Sequence, residues 1–117
     1  MELQLKRIYD DPQPEDGFRV LVDRLWPRGL SKRRAAVDLW AKDAAPSAEL
    51  RRAWHAAPAE AWDAFAEEYR AELDGESRPA VSALREQLRS HPVATLLFAA
   101  HDPHRTHALV LRDALGL

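Results

Sequence analysis

Six consecutive residues, Val93 to Phe98, constrain the fold of this chain more than any other segment. The run reads Val-Ala-Thr-Leu-Leu-Phe and lies between two turn-forming sequences, His91-Pro92 and Asp102-Pro103. A continuous apolar run of this length is typical of a strand that is buried on both faces. Such strands occur in parallel sheets that carry helices on each side. The segment therefore predicts an α/β protein built on a parallel sheet.

Two further strands are predicted near the N-terminus. Leu3 to Ile8 alternates between apolar and polar residues, and Phe18 to Asp23 contains a run of apolar, β-branched side chains. The segment between them, Tyr9 to Gly17, is rich in proline and aspartate and is therefore predicted to be a loop. Asp38 to Asp43 fits either a short strand or an irregular connection.

Helical patterns occupy most of the remaining chain. Trp62, Phe65, Tyr69 and Leu73 recur at helical spacing, which indicates an aromatic stripe packed in the core. The expected helices are Lys32 to Val37 after the N-cap Ser31, one after Ser47, Glu60 to Leu73, one after Ser77, and one that begins with Asp102 as cap and Pro103 as its first residue. The fold class is therefore α/β, with a small, largely parallel sheet of three to four strands covered by about five helices.

The segment after the second strand holds a mixture of residues that no regular secondary structure favours. Pro27 cannot continue a strand ladder, and Gly29 permits a turn that other residues resist. We therefore predict a rigid loop at a strand end, where binding residues are commonly located. Its chemically versatile side chains are Asp23, Arg24, Trp26 and Arg28.

Polar groups follow each of the three predicted strands. Ligands of open parallel sheets bind beyond the carboxyl ends of the strands, so we expect these groups to meet on one rim. The groups are Tyr9, Asp10 and Asp11 after the first strand, Asp23, Arg24, Trp26 and Arg28 after the second, and His101, Asp102, His104, Arg105 and His107 after the buried strand.

The rim predicts a site for a small anionic ligand, phosphorylated or nucleotide-like. Arginine binds carboxylate or phosphate oxygens in pairs, a helix start at Pro103 would attract an anion, and an indole offers a flat stacking face. The predicted ligand-binding residues are Arg7, Arg24, Trp26, Arg28 and Lys42, and the candidate catalytic carboxylates are Asp23 and Asp102. Structural roles are the alternatives: an internal ion pair for Arg24, a core lid for Trp26 and a helix cap for Asp102.

Charge is distributed unevenly along the chain. The net charge is −2, but the stretch from Arg24 to Lys42 holds six cations and one carboxylate. A nucleic-acid-binding domain usually has an overall basic balance. A nucleic acid is therefore a secondary alternative to a small anion as partner, and Lys32, Arg33 and Arg34 also fit a solvated helix face.

Composition limits the cellular compartment and the types of cross-link and metal site that we expect. The chain has no cysteine, which excludes disulfides and thiolate metal sites. The sequence has neither a membrane-length apolar stretch nor a signal-peptide pattern, so we expect a cytoplasmic protein without a membrane partner. His101, His104 and His107 cluster in sequence, but a zinc site needs three or four ligands at fixed geometry. We expect neither a metal nor a cofactor.

Five segments spread over the chain carry a resemblance to a known family. The most distinctive is Asp16-Gly-Phe-Arg-Val-Leu-Val-Asp-Arg-Leu-Trp-Pro-Arg-Gly-Leu-Ser-Lys32. The others are Lys6-Arg-Ile-Tyr-Asp10, Ala45-Pro-Ser-Ala-Glu-Leu-Arg51, Trp62 to Leu73 and Val93 to Asp102. The chain resembles the DUF488 family, in its short YeaO-like branch, over nearly its whole length. The family has no assigned function, so the resemblance implies no activity.

The resemblance does imply signature residues, most of which fall on the predicted rim. They are Lys6, Arg7, Asp23, Arg24, Trp26, Pro27, Arg28, Gly29, Lys42 and Asp102. Family members often show His-Asn where this chain has Arg105-Thr106, and the longer branch carries cysteines in the region of Phe98 and Ala100. Thiol chemistry is therefore not implied here. A small-anion enzyme or binding domain is the first interpretation, and a nucleic-acid-binding, regulatory or protein-interaction role is the alternative.

Overall fold

The computed structural model describes residues 1–117 and contains one sheet of four strands. In chain order these are β1 (Glu2–Arg7), β2 (Phe18–Leu21), β3 (Leu39–Trp40) and β4 (Val93–Phe98). They lie in the spatial order β1-β4-β2-β3, and every neighbouring pair is parallel. The predicted α/β class is confirmed. Between Asp38 and Asp43 the chain forms the short strand β3.

Five α-helices connect and cover the strands: α1 (Lys32–Ala35), α2 (Ala48–Ala56), α3 (Trp62–Asp74), α4 (Arg78–Leu88) and α5 (His107–Leu115). Ser31 and Ser47 cap α1 and α2 as predicted, because their hydroxyls accept the backbone N–H groups of Arg34 and Leu50. Ser77 takes the N-cap position of α4, but its hydroxyl accepts no N–H there. None of the helices combines the length and the apolarity that crossing a membrane would require.

The prediction that the last helix begins at Pro103 is wrong. Helix α5 begins at His107, because Thr106 has an extended backbone and its hydroxyl accepts a backbone N–H of the first turn. The carboxylate of Asp102 accepts the N–H of His104 at 2.9 Å and therefore closes a local turn. The positively polarised end of α5 lies at His107, four residues after the predicted start.

Side chains of the central strand β4 alternate between the two faces of the sheet, as the pleat requires. One face carries a core of 16 buried residues, which joins Leu96 and Phe98 to side chains of α3, α4 and α5. The other face carries a smaller cluster formed by Ile8, Leu21, Ala35 and Leu97. Burial of β4 on both faces confirms the interpretation of its continuous apolar sequence.

Next to the smaller cluster lies a buried polar network. The Arg19 side chain is 5% exposed, and its guanidinium donates to the Asp16 carboxylate at 2.5 Å. It also donates to two backbone carbonyls at the C-terminal end of α1. The Nζ atom of Lys6 lies 3.2 Å from the same carboxylate. The network therefore ties β1, β2 and α1 together through charged groups.

Acid should destabilise the fold through Asp16. Burial by itself would raise the pKa of Asp16, but hydrogen bonds from the Gln13 backbone N–H, Lys6 and Arg19 outweigh it and hold that pKa below its usual 3.8. Because the pKa is lower in the folded state, the stabilisation is complete above about pH 4 and is lost as the pH falls through the folded-state pKa. Urea midpoints followed from about pH 6 to about pH 2 should fall more steeply for the natural chain than for Asp16→Asn. Parallel curves would contradict this role.

Candidate functional site

A cleft of about 380 Å³ lies at the carboxyl ends of β2 and β4. Because the two strands are parallel neighbours, the loops that follow them emerge at the same edge of the sheet. The facing sides of α2 and α3 and the start of α5 complete the walls. The cleft brings together six of the rim residues expected from the sequence: Asp23, Arg24, Trp26, Arg28, His101 and His107.

Three arginines, Arg24, Arg28 and Arg51, line this cleft. None of them belongs to any ion pair of the structure. The Nε atom of Arg24 donates to the backbone carbonyl of Pro46 at 2.8 Å, which fixes the direction of the side chain. The alternative of an internal ion pair for Arg24 is therefore wrong, since its protein contact is a neutral carbonyl. The cleft holds three guanidinium groups against one carboxylate, Asp23.

Asp23 and His107 form a close pair in the floor of the cleft. The Oδ2 atom of Asp23 accepts the backbone N–H of Ala99 at 3.0 Å. Its Oδ1 atom is buried, has no hydrogen-bond donor and lies 3.2 Å from Nε2 of His107. The same Nε2 lies 2.9 Å from the backbone carbonyl oxygen of Val22. A further hydrogen bond, from the indole N–H of Trp40 to the Asp23 carbonyl, holds the main chain of this loop.

The side of the cleft formed by the helices is aromatic. Trp54 on α2 stacks on Phe65 of α3, with ring centroids 4.3 Å apart. Trp26 lines the opposite loop, and its indole N–H donates to the Leu30 carbonyl at 2.6 Å. Trp26 also packs against the smaller core cluster, so it is both a lid of that core and a wall of the cleft. Apolar ring surface and guanidinium groups therefore face the same space.

Behind this wall, Tyr69 is fully buried and its hydroxyl donates to the Ala44 carbonyl at 2.6 Å. Burial raises the pKa of Tyr69 well above its usual range, and the nearby carboxylates of Glu72 and Asp23 add to the effect. The phenol therefore stays neutral and acts as a structural donor. Its ring meets that of His107 edge-on, with centroids 5.9 Å apart, and supports the histidine from the core side.

Three predicted site residues do not line the cleft. Arg7 donates to two backbone carbonyls of the loop after β4, at 2.9 and 3.4 Å. The Nζ atom of Lys42 lies 5.1 Å from the ring centroid of Trp40, on a separate groove between β3 and α4. Asp102 is exposed in its local turn. The structure does not bring these three into the cleft, because each side chain contacts partners that the sequence pattern does not specify.

The histidines that cluster in sequence separate in space. His101 and His107 line the cleft, whereas His104 does not. No group of three or more His, Cys, Asp or Glu side chains stands in an arrangement that would hold a metal ion.

Sequence reasoning missed the contribution of helix α2. Arg51, Trp54 and His55 all line the cleft, and their spacing places them on one face of the helix. That spacing was visible in the sequence, but an amphipathic pattern does not say which neighbour a helix faces. Only the tertiary structure, which places α2 on the same cleft as the loop after β2, assigns these residues to the site.

Comparisons with known proteins agree on one family. Residues 2–116 match the family described as "Inactive DUF488-N3 subclade". The chain is 43% identical over 115 residues to "Uncharacterized protein YeaO" of Escherichia coli (strain K12), covering 98% of this chain and 97% of that protein. It is 42% identical over 114 residues to "Uncharacterized protein Rv3073c" of Mycobacterium tuberculosis (strain ATCC 25618 / H37Rv), covering 97% and 93%. No solved structure matches. The chain therefore belongs to the DUF488 family, within the subclade described as inactive DUF488-N3.

Proposed function

We propose that the cleft binds a small phosphorylated or nucleotide-like anion. The observation that carries the proposal is the set of three arginines, Arg24, Arg28 and Arg51, that line one cleft without a carboxylate partner. Guanidinium groups kept close together repel one another, and an anion relieves that repulsion while accepting their hydrogen bonds. Asp23 does not neutralise them, since its carboxylate faces Ala99 and His107.

The size and lining of the cleft support a ligand with an apolar or planar part besides its charge. About 380 Å³ is within the usual range of small-molecule sites, roughly 300–1,000 Å³. Trp54, Phe65 and Trp26 offer ring surface to a base or a sugar. A free inorganic anion would leave this surface unused.

Binding is proposed in preference to turnover. No serine, threonine, cysteine or lysine side chain lines the cleft, so it offers no hydroxyl, thiol or amine nucleophile of these residues. The subclade that the chain belongs to is itself described as inactive. Within this proposal Asp23 is an orienting carboxylate, and Asp102, exposed and outside the cleft, has no part in the chemistry.

Replacing Arg51 with glutamine should weaken ligand binding about 10- to 100-fold, because a charged hydrogen bond of roughly 1.5–3 kcal/mol is lost. The ligand is first found by thermal shift against nucleotides, sugar phosphates and carboxylates, since a ligand of the folded state raises the melting temperature. Affinity is then measured by calorimetry for Arg51→Gln and Arg28→Gln.

The matched control is Arg52→Gln, on the same helix but exposed and outside the cleft. It should bind as the natural chain does, because its side chain does not line the cleft. Equal loss of affinity in Arg51→Gln and Arg52→Gln would show a diffuse charge effect and contradict the cleft as the site. A screen without any hit, together with salt-dependent DNA binding, would favour the nucleic-acid alternative instead.

A further inference from the structure

The hydrogen bonds of His107 fix which ring nitrogen carries its proton. Nε2 lies 2.9 Å from the Val22 carbonyl oxygen, which only accepts hydrogen bonds. Nε2 is therefore the protonated nitrogen of the neutral ring. Nδ1 makes no hydrogen bond within the protein and is not among the buried unpartnered atoms, and the ring lines the cleft. Nδ1 therefore carries a free, accessible lone pair, on a ring that lines the same cleft as the arginines.

This lone pair changes its role when the ring takes up a proton. In neutral imidazole Nδ1 is an acceptor and repels an anionic oxygen, whereas in imidazolium it is a charged donor. Asp23 lies against the other nitrogen of the ring, since its buried Oδ1 atom, which lacks a donor, is 3.2 Å from Nε2. A bound anion would add a second negative group on the opposite side of the ring.

Other charged and titratable groups line the same cleft as the histidine or contact its ring. They are Asp23 and Arg24 on the loop after β2, Arg28 farther along that loop, Arg51 and His55 on α2, Tyr69 on α3 and His101 on the loop after β4. Without an anion the arginines oppose a further positive charge at His107. With an anion they are compensated, so proton uptake and anion binding must favour each other by linkage.

We propose that His107, oriented by Asp23, is a proton-dependent ligand of the cleft, donating from Nδ1 to the bound anion only in its protonated form. The proposal rests on the proposed function of the same cleft and adds a binding residue and a positioning residue to it. Anion affinity then increases as the pH falls across the range in which histidine titrates.

Sulfate is the probe that tests this, because it keeps its double charge over the whole range. We expect the sulfate dissociation constant to be about tenfold lower at about pH 5.5 than at about pH 8, the ratio that one charged hydrogen bond supplies. His107→Gln should bind sulfate with an affinity that no longer depends on pH. His55→Gln and His101→Gln, which remove the other histidines of the cleft, should keep the dependence.

A second measurement covers the case in which His107→Gln does not fold. In the natural chain, nitrogen-detected NMR should find the Nε2–H tautomer of His107, and its titration midpoint should rise when sulfate is added. Asp23→Asn should reduce the pH dependence of sulfate affinity, because the ring loses the carboxylate that orients it. The opposite tautomer, or a midpoint that sulfate leaves unchanged, would overturn the role of His107.

The outcomes separate the two proposals. Absence of sulfate and phosphate binding at every pH would overturn the anion-binding cleft, and this inference with it. Binding of constant affinity at every pH would overturn only the role of His107. Loss of the pH dependence in His55→Gln or His101→Gln, with its retention in His107→Gln, would assign the proton to a different histidine.

Discussion

Replacing Gly17 with alanine is expected to lower the free energy of unfolding by about 3–5 kcal/mol, combining backbone strain with overpacking. Gly17 has φ 63° and ψ −133°, a conformation that residues with a Cβ avoid. A Cβ at this position would lie 2.3 Å from the backbone carbonyl oxygen of Val93. That oxygen belongs to the start of the central strand and cannot rotate away, so the strand itself would have to move.

Gly29→Ala is the matched control for this prediction. Gly29 also has a positive φ, 77°, but no atom lies within 4 Å of a Cβ built there. Only the conformational cost applies, about 1–2 kcal/mol. Urea unfolding followed by circular dichroism gives both values. Equal losses in the two variants would show that backbone strain alone matters and that the contact with Val93 is relieved at no cost.

Replacing Arg19 with methionine is expected to cost about 3–5 kcal/mol, the usual result of removing one partner of a buried ion pair. The substitution keeps an apolar side chain of similar length. It removes the guanidinium that donates to Asp16 and to the carbonyls of Ala35 and Ala36. Lys6 remains beside Asp16, but it does not reach the end of α1, so these carbonyls lose their side-chain donor.

Arg70→Met provides the comparison. Its side chain is 43% exposed and pairs with Asp74 and Asp113 at 3.4 Å. Exposed pairs of this kind contribute less than about 1 kcal/mol, because water screens them. The difference between the two unfolding free energies measures the contribution of burial. If Arg19→Met were no more destabilising than Arg70→Met, the buried network would not stabilise the fold.

Secondary structure was predictable where the information is local. The run from Val93 to Phe98 is apolar without alternation because both of its faces meet core, and that pattern is written in neighbouring residues. The stripe of Phe65, Tyr69 and Leu73 is equally local, since helical spacing alone places the three on one face. Both segments are buried in the structure, as their sequence patterns indicate.

At the end of the β4–α5 loop, local sequence patterns do not suffice to place the start of the helix. Asp102-Pro103 and Thr106 each fit a helix start, and the sequence offers no means of choosing between them. The choice falls on Thr106, which is buried, whereas Asp102 and Pro103 stay exposed in a turn. Packing of the first turn of α5 against the core therefore decides the boundary.

The candidate site was likewise predictable from the sequence only in part. The sequence alone predicted the parallel sheet and a rigid loop after β2. It also predicted that Asp23, Arg24 and Arg28 lie at a strand end. These features were predictable because strand periodicity and turn chemistry depend on residues that are near neighbours in the sequence. The tertiary structure alone decided that Arg51 and Trp54 join them, that His107 meets Asp23, and that Arg7, Lys42 and Asp102 lie apart. These relations depend on strand order and helix packing, which bring distant segments of the chain together. Neither segment carries a sequence pattern that specifies its distant partner.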